Sequence, residues 1–164
     1  MARHDTEPSA APEAGLALQP AEREVLAAEV AAFAQTVRDP AARERYAQLE
    51  QAVRAGRVPP ALVRALEPLL ELLLQTQRIR RQHGPEAEEA LLALFYRTPR
   101  GAALQQAARE VTQALQALQG QTLERLALVA GPGRHTLVID TDRCRLTLRI
   151  DGAGARVESV EVGG

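Results

Sequence analysis

Apolar residues recur with the period of a helix from Pro20 to Gly120, and with the period of a strand from there to the end of the chain. Leu26, Val30, Phe33 and Val37 follow at steps of four, three and four, which places them on one helical face. Asp39 and Pro40 end that helix and begin another, the aspartate as N-cap and the proline in the first turn, where its missing N–H costs no hydrogen bond. Ala42, Tyr46, Leu49 and Val53 repeat the stripe until Gly56 stops it. The most apolar stretch follows, with Leu62, Leu66, Leu69 and Leu73 in phase and Val63, Leu70 and Leu74 widening the stripe, as expected of a central helix. Pro68 interrupts it, and an interior proline predicts a kink or a division into a short and a longer helix. His83, Gly84 and Pro85 are a stop, and a short helix carrying Leu91, Leu92, Leu94 and Phe95 comes next. Thr98 and Pro99 then open a long helix whose Leu104, Ala107, Val111, Leu115 and Leu118 hold heptad-like phase to Gly120.

Beyond Gly120 four alternating segments, 122–130, 134–140, 143–151 and 155–162, are separated by turn signals and predict an antiparallel meander. A hairpin turning at Thr141-Asp142 sets Cys144 opposite Ile139 and Leu146 opposite Leu137 on one apolar face. Its other face carries Arg134, Arg143, Arg145, Arg149 and Arg156 against Asp140, Asp151, Glu158 and Glu161. The phase of Val157 against Val160 and Val162 calls for a bulge at Glu158-Ser159, which aims Glu158 at Arg149, while Asp151 meets Arg156 and Glu161 lies near Arg145. On this reading most of the charge cancels within the sheet, and Arg145 is the arginine with least cover.

The predicted fold class is α+β. A disordered tail occupies 1–18, a bundle of four to five helices 19–97, and a long helix with a four-stranded antiparallel sheet 98–164, the last helix lying across the sheet and continuous with the bundle. A formal charge of -1 gives bulk electrostatics no preference for a polyanion or an anionic membrane. All 20 basic residues are arginine, and lysine, asparagine and tryptophan are missing, which reads as the mark of a GC-rich bacterial genome. With one cysteine no internal disulfide forms. The start of the sequence has no apolar signal stretch and no run is long enough to span a bilayer, so a cytoplasmic protein is expected.

Candidate chemistry is sparse. Ser9 and Ser159 stand in no nucleophile motif, and the expected register keeps His135 far from Cys144. Asp140 and Asp142 lack the further ligands of a calcium loop, His4, His83 and His135 are scattered, and no glycine loop precedes a helix as a phosphate cradle requires, so neither a metal nor a cofactor is expected. The densest basic run is Arg78, Arg80 and Arg81, explained by the helix macrodipole or, joined by Arg97 and Arg100 across the next turn, as an anion or nucleic-acid surface; on the arginine face of the sheet the separate candidate contact is Arg145. Four aromatic residues in the chain leave little for stacking on bases, which argues against nucleic acid. The sequence therefore points to a non-catalytic interaction or assembly module whose Ala- and Leu-rich stripes or open sheet edge dock a protein partner or a second copy, with no role at a membrane.

Overall fold

The computed structural model describes residues 15–163. It is an α+β fold with this order: β1 (Leu16–Ala17), α1 (Pro20–Thr36), α2 (Pro40–Arg54), β2 (Arg57–Val58), α3 (Pro60–Gln75), α4 (Arg78–His83), α5 (Pro85–Tyr96), α6 (Pro99–Ala117), β3 (Leu123–Gly131), β4 (Arg134–Thr141), β5 (Cys144–Asp151) and β6 (Gly154–Val162). Two compact units meet in sequence between Thr98 and Pro99.

In the first unit the expected stripes form the core. Leu26, Val30, Leu49 and Val53 are fully buried, Phe33 meets Tyr46 edge-on with ring centroids 4.8 Å apart, and α3 buries seven of its sixteen residues. Asp39 caps α2, its carboxylate accepting the Ala42 N–H at 2.7 Å. The expected division at Pro68 is corrected, because α3 runs through it unbroken. Pro68 lies on the exposed face, where the carbonyl it leaves without a donor can be hydrated. The chain breaks later, at Gln77, whose left-handed backbone (φ 53°) ends α3 and gives six helices among the described residues. Thr76 helps end it by turning its hydroxyl onto the Leu72 carbonyl at 2.7 Å.

The tail expected over 1–18 also needs correction at its end, while residues 1–14 lie outside those described. Leu16 and Ala17 pair with Val58 and Arg57, and Leu18 N–H donates to the Gly56 carbonyl at 2.9 Å. Backbone pairing supplies what the composition of this segment did not. Gly15 permits the approach, since a Cβ there would stand 2.5 Å from the Val58 carbonyl oxygen.

Two buried carboxylates tie the helices of this unit together. Glu22, only 5% exposed, accepts the Gln19 N–H and two hydrogen bonds from Arg97, whose guanidinium also donates to the Ala17 carbonyl. Glu29, 4% exposed, accepts Arg78 Nε at 2.7 Å and lies 3.0 Å from His83 Nε2. A carboxylate so deep is tolerable only with such partners.

The second unit is α6 and one antiparallel sheet in the order β3-β4-β5-β6, joined by two-residue loops. Ile139, Leu146 and Leu148 are its buried centre, covered by Val111, Ala114 and Leu118 of α6 with Leu137 and Val157 beside them. Ala114 takes the inward place expected for Leu115, which stays outside. At Gly154 the positive φ of +106° selects glycine, and the position faces Leu104 Cδ1 of α6, which a Cβ would meet at 2.6 Å.

Arg97→Ala leaves the Glu22 carboxylate without its guanidinium, and chemical denaturation should show a loss of about 2 kcal/mol, reduced from a fully buried pair because Arg97 is partly solvated. A change within about 0.5 kcal/mol would show that the pair is not what holds α1 to the end of α5.

Candidate interaction surface

Antiparallel pairing places directly opposed residues on one face. Leu123, Leu126, Leu128 and Ala130 of β3 share a face with Ile139, Leu146, Leu148, Val157 and Val160, while Arg125, Ala127 and Val129 belong to the other. Four strands about 4.8 Å apart present a face wider than a single helix about 10 Å across. Helix α6 packs toward β6 and over the central cluster. The consequence falls on the outer strands: Leu123, Leu126 and Leu128 of β3 are 56%, 60% and 63% exposed, and Val160 and Val162 at the end of β6 are 52% and 80% exposed.

The same strand is a free sheet edge. Its loop closes on the pair Gly131 and Arg134, so alternation turns the backbone groups of Leu126, Leu128 and Ala130 outward, away from β4. From Leu126 to Ala130 the edge has no charge and no proline, the usual devices that keep edges from pairing. On the opposite edge β6 carries Arg156, Glu158 and Glu161, and Glu158 is the extra residue of a bulge that shifts the register between Thr147 and Leu148. Apolar cover is scarce in this unit as a whole. Four of its hydrophobic residues are buried, Ala107, Ile139, Leu146 and Leu148, whereas seven large ones are exposed.

On the polar face the expected bulge is present, but the hairpin register moves by two residues. The loop is Asp142-Arg143, and Leu146 stands opposite Ile139. Turn chemistry sets this: Thr141 Oγ1 accepts the Cys144 N–H at 3.0 Å, and Asp142 is bound on both backbone and side chain to Thr122. A shift of two preserves the faces and changes the partners. Arg143 moves into the loop, Arg149 faces Thr136 and Arg156 instead of Glu158, and Asp151 faces Arg134 and Gly154 instead of Arg156. Arg145, expected to be the least covered, donates to Asp140 at 2.5 Å and stands opposite Glu161.

The arginines proposed from sequence as an anion surface are engaged in the same way. Arg78 binds Glu29, Arg80 lies 3.6 Å from Glu88, and Arg97 binds Glu22. Arg81 donates to the Thr76 and Gln77 carbonyls between α3 and α4, and Arg100 opens α6 in the other unit. These pairings compete with any anion for Arg78, Arg80 and Arg97.

Among the described residues, the remaining polar groups stand apart from one another. Cys144 Sγ is half-buried, 3.4 Å from Gln121 Oε1 and 3.5 Å from Thr141 Oγ1. His135 pairs with Ile150, six positions along β5 from Cys144, or about 20 Å. Among the described residues no group of three metal-ligating side chains occurs. An open cleft of about 520 Å³ lies between α1, α3 and α4, walled by Phe33, Leu72 and Leu73, and the one carboxylate that lines it, Glu29, is already held by Arg78 and His83.

The hydrogen bond from Arg145 holds the Asp140 carboxyl below its ordinary range, against a smaller opposing effect of desolvation. Since its folded value is depressed, the stability it lends is present at neutral pH and is lost as pH falls through that lower value. Carboxyl NMR should find Asp140 titrating abnormally low, and Arg145→Gln should move it upward toward an ordinary aspartate. An unchanged titration in the variant would refute the pairing.

Comparison with protein-family models, with curated proteins and with solved structures found no match to this chain.

Proposed function

We propose that this protein is a non-catalytic interaction and assembly module, and that its docking surface is the β3 side of the sheet. The observation that carries this is the coincidence of Leu123, Leu126 and Leu128, each more than half exposed, with an unpaired strand edge that turns the backbone groups of Leu126, Leu128 and Ala130 outward. A partner strand added there satisfies the outward N–H and C=O groups and removes the leucines from water at once, the physics of strand addition. Apolar area carries the affinity, at about 25 cal/mol per Å² before the costs of association. Register would come from the alternation of side chains along β3.

A docking residue contributes little to its own fold, and this separates the proposal from a merely loose core. In dilute protein the double variant Leu126→Gln, Leu128→Gln should unfold within about 0.5 kcal/mol of the parent for each site. Leu146→Ala, at the buried centre, should cost about 2 to 5 kcal/mol. The double variant should also lose most of the fluorescence gained by an apolar dye that binds the parent. If it instead destabilises the dilute protein as Leu146→Ala does, the leucines belong to the interior and the docking reading fails.

A further inference from the structure

We infer that the partner of the β3 edge is a second copy of this chain, joined by antiparallel β3-to-β3 pairing about a two-fold axis through Leu128, so that two four-stranded sheets become one of eight strands. The inference rests on the docking reading above and names its occupant. Three features of the strand favour self-pairing.

The first is electrostatic. A two-fold axis sets a strand against its own charges, and like charges directly opposed are destabilising. With the axis at Leu128, Leu126 stands opposite Ala130 of the second copy and Ala127 opposite its Val129, so the paired centre is free of charge. Arg125 falls opposite Gly131 of the second copy, and the two Arg125 residues lie six positions apart, about 20 Å. The formal charge of -1 adds almost no repulsion between whole chains.

The second is backbone register. Leu126, Leu128 and Ala130 turn their hydrogen-bonding groups outward, and this axis maps the three onto one another. An axis through Ala127 would map Ala130 onto Glu124, the residue inserted where the β3 register shifts. Leu128 therefore gives the longest regular ladder that the strand can make with itself.

The third is the contrast between the two edges. Pairing β3 of one chain with β6 of the next would build an open filament, but it would oppose the apolar edge to Arg156, the Glu158 bulge and Glu161. The guarded β6 edge leaves the isologous pairing, which closes on itself. Since such an axis is perpendicular to the sheet, both copies keep their leucine faces on one side. Leu123, Leu126 and Leu128 of the two chains then form one continuous apolar strip, with Leu115 of each α6, 41% exposed, contributing to the same side of its unit.

Sedimentation equilibrium of the full chain from micromolar to millimolar concentration tests this. A reversible monomer–dimer equilibrium is expected, with Leu128→Arg weakening it about 30-fold or more while far-ultraviolet circular dichroism and the unfolding midpoint of dilute protein stay unchanged. A bonded antiparallel pair holds its Cα atoms about 5.5 Å apart, within disulfide range. Leu128→Cys in a Cys144→Ser background should therefore oxidise to a covalent dimer, whereas Val162→Cys, on the still more exposed end of β6, should not. A chain that stays monomeric while keeping its dye-binding leucines overturns self-pairing and leaves the docking reading standing. A monomer that binds no dye overturns both, and a dimer insensitive to Leu128→Arg overturns the β3 interface.

Discussion

A single helix cannot cover four strands. The second unit has only α6 to shield a sheet whose outer strands lie about 14 Å apart, and the helix is committed toward β6 by Val157 and by the contact of Leu104 with Gly154. Burial is consequently concentrated on Ile139, Leu146 and Leu148, and β3 is left with leucines that are more than half exposed. The edge character of β3 follows from its place in the meander, but its exposure follows from where α6 lies. On β6 the helix covers Val157, while Val160 and Val162 beyond the bulge are 52% and 80% exposed; on β3 the exposed leucines coincide with the segment from Leu126 to Ala130, which carries no charge.

The first unit meets its own needs by different means. It holds sixteen of the twenty buried hydrophobic residues, and two internal carboxylates fix the junctions that apolar packing leaves undetermined. Arg97 joins the end of α5 to the start of α1, and Arg78 with His83 joins α4 to the middle of α1. Basic residues that could serve a polyanion are used in this unit as internal partners. Charge density in a sequence thus says little about availability until the location of the carboxylates is known.

Helical stripes and strand alternation were legible because periodicity reports directly on which side chains can share an interior. Leu26, Val30, Leu49, Leu66 and Leu146 lie inside as their spacing requires. Glu158 occupies a bulge because the phase of Val157 against Val160 leaves no other regular solution. What periodicity does not carry is the chemistry of ends and turns. The length of α3 was decided by the left-handed Gln77 and not by Pro68, and the β4–β5 register by the hydroxyl of Thr141. The buried state of Glu22 and Glu29 depends on arginines 75 and 49 positions away, a pairing no local pattern encodes. The leucines of β3 were visible as a strand face, and the segment from Leu126 to Ala130 already lacked charge. Their exposure was not visible, since it depends on the lateral position of α6 and on Ala114 replacing Leu115 on its inner side.

Amide hydrogen exchange along β3 in dilute protein tests most directly whether this strand stands uncovered. The N–H groups of Ala127 and Val129, bonded to β4, should be protected, while those of Leu126, Leu128 and Ala130 should exchange freely, an alternation only an open edge produces. Uniform protection along the strand, at dilutions where the chain is monomeric, would mean that another part of the same chain covers the edge and would contradict an open, docking-competent β3.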